Sequence, residues 1–157
     1  MCTNEALSVR AERHPVLLYD GVCGLCNRTV QFVLKRDRSD VFRFAALQSA
    51  LGRRLLEKQG INPADLDTFY VVVGFDASLP AGPDQNARVL ARSDAVSFVL
   101  GQLGGVWGFF GGLLMMVPRF VRDGMYNLVA RSRYRVFGRY EQCPVPSEAD
   151  RKRFLDL

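Results

Sequence analysis

Cys23-Gly24-Leu25-Cys26 sets two thiols three residues apart, directly after Asp20-Gly21. Disulfide exchange needs one thiol that ionises near neutral pH and a second close enough to resolve the mixed disulfide. A helix start meets the first need, because its unpaired backbone N–H groups and its dipole favour a thiolate. Positions i and i+3 on a first turn are neighbours, which meets the second. The spacing therefore predicts Cys23 as an exposed nucleophile and Cys26, the first residue of an apolar stripe, as a shielded resolving thiol. Asp20 is the candidate third member. Its carboxylate suits a general base for Cys26, and equally suits hydrogen bonds to the amides of the turn. Arg28, just inside the helix, reads as solvent-facing.

Zinc is the chief rival for a C-x-x-C pair, and a tetrahedral site needs two further ligands. His14 is the one histidine, and Cys2 and Cys143 form no second knuckle. Redox chemistry is favoured over a structural zinc site, and no metal ligand is assigned. The turn Arg92-Ser93-Asp94 is a second candidate site, since free amides at a helix N-terminus suit a carboxylate. As a plain N-cap, Ser93 is explained equally well. Nothing in the sequence decides between an inert Cys143 and one that contacts the redox pair.

The elements that must position these residues follow from periodicity. Residues 15–19 are a short apolar run closed by Asp20-Gly21, hence a buried strand ending in a turn. Apolar positions at 26, 30, 33 and 34 give one face of a helix that ends near residues 35–38. Residues 41–45 alternate as a second strand, and Leu47, Leu51 and Leu55 mark a helix that stops at Gly60. Asn62-Pro63 suggests a short helical turn. Residues 69–73 carry the strongest strand signal, and 74–87 read as a long loop before a fourth strand at 88–92. Ser93 then caps a helix with apolar positions at 96, 99, 100 and 103. Only helices are expected beyond. One covers residues 107–116. Another starts near Pro118 with Val121, Met125, Leu128 and Val129 on one face. A last short helix follows the capping-box pattern at Ser147.

A chain of 157 residues, 48% hydrophobic and 24% charged, suits one soluble α/β domain that needs no staples. The net charge of +5 rests on arginines clustered between 119 and 139. They are interspersed with core-type residues, so they read as a solvated helical face, without a nucleic-acid motif. Four irregularly spaced cysteines and a polar start lacking a signal-peptide core make a reducing cytoplasmic location the default. Residues 95–117 are apolar enough to raise a membrane span, but six glycines divide them, and two shorter buried helices are expected. The alternative from another class is a membrane-associated or partner-binding module without catalysis, its peripheral contact made through Trp107, Phe109 and Phe110.

The run from Leu18 to Asn27 resembles the signature of the DCC family of thiol–disulfide oxidoreductases, whose Asp and two Cys fall here on Asp20, Cys23 and Cys26. Further similar stretches are Phe44-Ala45-Ala46-Leu47-Gln48-Ser49, Arg92-Ser93-Asp94-Ala95, Val117-Pro118-Arg119, residues 126–138 and Cys143-Pro144-Val145-Pro146. The resemblance implies a thioredoxin-like fold and protein-disulfide reductase activity, with no bound cofactor. Its substrate would be a disulfide-containing protein or a small thiol compound, and its electrons would come from glutathione or a thioredoxin-type donor. Ser93-Asp94 is similar to the place where glutaredoxins hold the glutathione γ-glutamyl group. Thioredoxins carry a cis proline before the third strand, and Asp67-Thr68 stand there in this chain, which makes Thr68 a substrate-binding candidate. The expected organisation is a flexible tail over 1–14, a thioredoxin-like β-α-β-α-β-β-α core over 15–104 and a helical extension over 105–157 packed on it.

Overall fold

The computed structural model describes residues 14–64, 68–75, 87–141 and 146–155. Its elements run β1 (Val16–Tyr19), α1 (Gly24–Arg36), β2 (Arg43–Ala46), α2 (Ala50–Lys58), β3 (Tyr70–Val73), β4 (Arg88–Ala91), α3 (Arg92–Leu103), α4 (Gly105–Met116), α5 (Arg119–Phe137) and α6 (Glu148–Arg151). The sheet order is β2-β1-β3-β4, with β1 parallel to β2 and antiparallel to β3, and β4 antiparallel to β3. A parallel pair needs a crossover, and α1 supplies it. This mixed α/β arrangement is the one expected of a thioredoxin-like fold.

β1 reads as an unbroken apolar run because both of its faces are covered. Leu17 and Tyr19 join Phe44 and Val71 against Val30 and Val33 of α1 and Val99 of α3. Val16 and Leu18 point the other way, with Ala45, Tyr70 and Val72 over Leu55 and Leu56 of α2. Each fully buried side chain of this size contributes about 1.5–3 kcal/mol. The first cluster also contains Cys23 and Cys26, so the thiols are built into the core layer.

The chain's far end returns to this core. The Phe44 N–H donates to the Arg153 carbonyl at 2.8 Å and the Leu155 N–H to the Phe44 carbonyl at 2.9 Å, which pairs the free edge of β2. The Phe154 ring stacks on that of Phe44. Arg153, itself buried, binds the Asp37 carboxylate, and its Nε lies 3.0 Å from Asp40 Oδ1.

Asn62 Oδ1 accepts the Ala64 N–H at 3.0 Å, as a capping side chain does, and the turn expected after Pro63 runs on into 65–67, outside the described residues. Three expectations need correction. Ser93 is not an N-cap, because β4 runs straight into α3 with Ala91 at the cap position. The helix between 105 and 116 is not buried. Gly111 is its single buried residue, and Phe109 and Met116 are 70% and 81% exposed. It folds back on α3 as a hairpin, where Gly111 lets the backbones approach, and nothing among the described residues covers its outer face. The face of α5 formed by Val121, Met125, Leu128 and Val129 is also exposed, while Arg122 and Arg133 are buried. The arginine-rich stretch is thus a solvated face only in part, since these two guanidiniums find carboxylates inside. Loop residues 76–86 and Asp67 lie outside the described residues.

Candidate functional site

β1 ends at Tyr19, and the turn after it carries Asp20 below the sheet end into the start of α1. Cys23 is the N-cap of α1, and its Sγ accepts the Cys26 N–H at 3.4 Å. This is the helix-start arrangement that favours a thiolate. Asn27 Nδ2 fastens the turn by donating to the Gly21 and Cys23 carbonyls at 2.8 and 2.9 Å. Both cysteines are free thiols.

The expected difference in exposure is reversed. Cys23 is 0% exposed and Cys26 9%. The reason is a strap that follows α5. Gly138, at φ 77°, turns the chain across the helix start, where its carbonyl accepts the Gly24 N–H at 3.2 Å. Arg139 bridges Cys23 in antiparallel fashion, and the Tyr140 N–H donates to the Val22 carbonyl at 2.7 Å. Gly24 is required for this approach, because a Cβ there would lie 2.2 Å from the Phe137 carbonyl oxygen. Arg28 is solvent-facing, with its guanidinium over the Phe137 ring.

Asp20 is buried and fully engaged. Its Oδ1 accepts the Val22 N–H at 3.1 Å and Gln48 Nε2 at 2.7 Å. Its Oδ2 accepts the Tyr134 hydroxyl and Nη2 of Arg133, the latter at 3.4 Å. Arg133 is 3% exposed, and its other terminal nitrogen, Nη1, lies 3.5 Å from Cys26 Sγ. A buried cation thus stands between the carboxylate and the second thiol. Burial, with the neighbouring Cys23 sulfur, pushes the Cys26 thiol up from 9.0 to about 12, against the lowering pull of Arg133. Cys26 therefore holds its proton at neutral pH. Burial raises Tyr134 as well, helped by its bond to Asp20. Tyr126, whose hydroxyl accepts the Phe69 N–H at 2.7 Å, is pushed up to about 12 by burial.

The second candidate site is differently employed. Ser93 Oγ donates to Asp123 Oδ1, and Asp94 pairs with Arg119 at 3.1 Å and Arg122 at 3.2 Å. All three partners belong to α5, so the helix occupies both side chains of the Ser93-Asp94 turn. Thr68 is buried next to Phe69, ahead of β3. No cis peptide bond occurs among the described residues. Cys26, Phe69 and Ser93 share one apolar groove of about 290 Å³ between α1, α3 and α5, which Arg133 also lines and Cys23 does not. A cavity of about 400 Å³ on the other side of α1, with Asn27, Gln31 and Lys35, contains neither cysteine. Among the described residues no group of three or more His, Cys, Asp or Glu could hold a metal ion; Cys2 and Cys143 lie outside them.

A family model of DCC1-like thiol-disulfide oxidoreductases matches residues 17–139, which takes in the whole arrangement from β1 to the strap. The chain belongs to that family. Membership supports a thiol–disulfide oxidoreductase role, and the matched residues include Asp20, Cys23 and Cys26. The uncharacterized protein YuxK of Bacillus subtilis is 39% identical over 140 residues, covering 89% of this chain and 93% of its own. A chloroplastic DCC family protein of Arabidopsis thaliana is 36% identical over 132 residues, 84% of this chain and 70% of its own. No solved structure matches significantly. No helix among the described residues is long and apolar enough to cross a membrane.

The side chains that reading the sequence passed over are Gln48, Tyr126, Arg133 and Tyr134. Each lies inside a stretch that resembles the DCC family, and that was their one signal. Arg133-Tyr134 within an arginine-rich helix carries no local mark of burial, because the carboxylate that permits it is 113 residues away in the chain.

Proposed function

We propose that this chain performs dithiol–disulfide exchange through Cys23 and Cys26, acting as a disulfide reductase. The observation that carries the reading is the pair of unlike thiols: Cys23 caps a helix and accepts an amide N–H, while burial keeps the proton on Cys26. Cys23, as thiolate, attacks one sulfur of the substrate disulfide and releases the other sulfur as a thiolate. Cys26 then passes its proton to the substrate thiolate just released, directly or through water, and attacks Cys23 Sγ, which releases the second substrate sulfur as a thiolate and leaves the Cys23–Cys26 disulfide. Arg133 stabilises the charge that appears on Cys26 in the second step. Asp20 is a positioning residue that acts through Arg133, since its carboxylate meets the guanidinium and not the thiol.

Electrons return from an external thiol donor of the glutathione or thioredoxin kind, with no bound cofactor. A protein disulfide, the substrate class implied by the family resemblance, reaches Cys23 only when the 138–141 strap lifts from the helix start. The test is stoichiometric exchange of the reduced protein with hydroxyethyl disulfide. Wild type should oxidise as the disulfide is reduced, and Cys23→Ser should lose the reaction. Full activity in Cys23→Ser removes the assignment. Asp20→Asn removes the carboxylate that neutralises Arg133 and should move the pH dependence of the second step downward, because more of the guanidinium's charge then acts on Cys26; an unchanged profile leaves Asp20 a turn-former alone.

A second reading, a non-catalytic module that rests on a membrane surface, is favoured by the exposed Val106, Phe109, Leu113 and Met116 of α4. Co-sedimentation with anionic vesicles supports it, and a protein left in the supernatant at every lipid concentration removes it.

A further inference from the structure

Cys23 is paired, like a residue of a sheet, with a piece of the chain's own backbone. One main-chain bond lies on either side of it: the Gly24 N–H donates to the Gly138 carbonyl at 3.2 Å, and the Tyr140 N–H donates to the Val22 carbonyl at 2.7 Å. These bonds make Cys23 and Arg139 an antiparallel pair of the non-hydrogen-bonded kind, whose Cα atoms stand closest, about 4.5 Å apart. Side chains directly opposite in such a pair share one face. A disulfide needs Cα atoms about 4.4–6.8 Å apart. A cysteine standing where Arg139 stands is therefore within bonding reach of Cys23.

Both flanking groups need a partner. The Gly24 N–H is a first-turn amide with none inside α1. When the strap lifts to uncover Cys23, that N–H and the Val22 carbonyl are left open beside the nucleophile, and whatever reaches Cys23 must satisfy them. The strap is a surface layer, exposed at each of residues 138–141. Its Arg139 guanidinium lies over the Tyr134 ring.

Resting on the dithiol reading above, we propose that residues 22–24 are a docking edge for an extended polypeptide carrying the substrate disulfide, and that the 138–141 strap stands in for it in the resting protein. The substrate cysteine takes the place of Arg139. The residue before it offers its carbonyl to the Gly24 N–H, as Gly138 does, and the residue after it donates its N–H to the Val22 carbonyl, as Tyr140 does. Gly24 permits so close a backbone, since a Cβ there would lie 2.2 Å from the Phe137 carbonyl oxygen. Recognition runs through the main chain, so it tolerates varied substrate side chains but not a missing amide. The Cys23 thiolate attacks the docked cysteine's sulfur. The substrate S–S bond breaks, the bond from Cys23 to the docked sulfur forms, and the other substrate sulfur leaves as a thiolate with the electron pair.

The experiment uses reduced Cys26→Ser protein and a short peptide whose central cysteine is joined by a disulfide to mercaptoethanol. Three forms are compared: unmodified, N-methylated at the residue after the cysteine, and N-methylated at the cysteine itself. Initial formation of the peptide adduct on Cys23 is read by intact mass after acid quench. Each rate is divided by that of the same peptide with reduced dithiothreitol, which removes intrinsic differences between the disulfides. Methylation after the cysteine deletes the donor to Val22 and should slow the normalised rate at least tenfold. Methylation of the cysteine should change it less than twofold, because the N–H of a residue in a non-hydrogen-bonded pair points away from the partner strand. Tyr140→Pro, made in the same protein, removes the strap's own donor and should raise the rate of the unmodified peptide at least threefold. Equal rates for the three peptides, or equal slowing by the two methylations, overturn the docking edge. A Tyr140→Pro protein that keeps its circular dichroism and reacts no faster overturns the strap as its stand-in. No adduct with any peptide or with hydroxyethyl disulfide sinks the dithiol reading itself.

Discussion

Replacing Arg133 with Met removes a buried cation while keeping most of its hydrocarbon volume. The contacts that vanish include Nη2 to Asp20 Oδ2 at 3.4 Å, Nη2 to the Tyr134 hydroxyl at 2.9 Å, and Nη1 to Cys26 Sγ at 3.5 Å. Breaking a buried ion pair by deleting one partner costs about 3–5 kcal/mol. Asp20 keeps the Val22 amide, Gln48 and the Tyr134 hydroxyl, so the loss belongs at the lower end, about 3 kcal/mol. In a chain of this size each kcal/mol moves Tm by about 2–4 °C, so Arg133→Met should melt about 6–12 °C lower. Scanning calorimetry of the reduced protein at pH 7 measures it. The deciding comparison is the double variant with Asp20→Asn. A neutral amide no longer needs the cation, so the double variant should be more stable than the sum of the two single losses by about 1–3 kcal/mol. A Tm drop below 3 °C, or strict additivity of the two changes, refutes the idea that Asp20 and Arg133 form a coupled buried pair.

The remaining predictions concern the thiols and the closures around them. The folded, reduced protein holds the Cys26 proton up to about 12, while the unfolded chain releases it near 9.0. Stability is therefore complete below pH 9 and falls as pH climbs toward 12, by up to about 1.4 kcal/mol per pH unit. Urea midpoints from pH 8 to 10.5 should show this slope in wild type and a smaller one in Cys26→Ala. Gly24→Ala places a methyl 2.2 Å from the Phe137 carbonyl oxygen, a backbone atom that can only move away. It should cost about 1–3 kcal/mol and speed the alkylation of Cys23 by displacing the strap; unchanged alkylation argues that the strap does not shield that sulfur. Arg153→Met breaks the pairs with Asp37 and Asp40 and should cost about 3 kcal/mol. Its effect should add to that of Arg133→Met, since the carboxylates differ, Asp37 and Asp40 for Arg153 and Asp20 for Arg133.

What the sequence makes legible is local. The β-α-β-α-β-β-α order can be read off residues 15–103 because β1, β3 and the helix faces each carry an apolar run with its own period, and turn residues separate them. The helix-start position of Cys23 follows from Asp20-Gly21 and the stripe beginning at Cys26. Long-range closure is not legible. Cys23 looks exposed until the strap arrives from residues 138–140, and nothing near Cys23 announces it except Gly24, whose role is to leave room. Ser93 fits an N-cap by type, yet it faces Asp123 on a helix 30 residues on. The apolar residues of α4 and α5 promise a core, but buried arginines hold α5 in place and leave its apolar face outward. Hydrophobic pattern assigns faces well when burial is apolar, and poorly when a paired charge sets the orientation.

The central claim is that Cys23 is the attacking thiol and Cys26 the resolving one, and trapping the mixed disulfide tests it most directly. Cys26→Ser and Cys23→Ser proteins, fully reduced, are each mixed with hydroxyethyl disulfide at pH 7, quenched with acid and read by intact-mass and peptide mass spectrometry. The account predicts that Cys26→Ser accumulates one adduct on Cys23, stable for want of a resolving thiol. Cys23→Ser should form little adduct on Cys26, because burial holds that thiol protonated. An adduct that forms faster on Cys26 than on Cys23 contradicts the assignment.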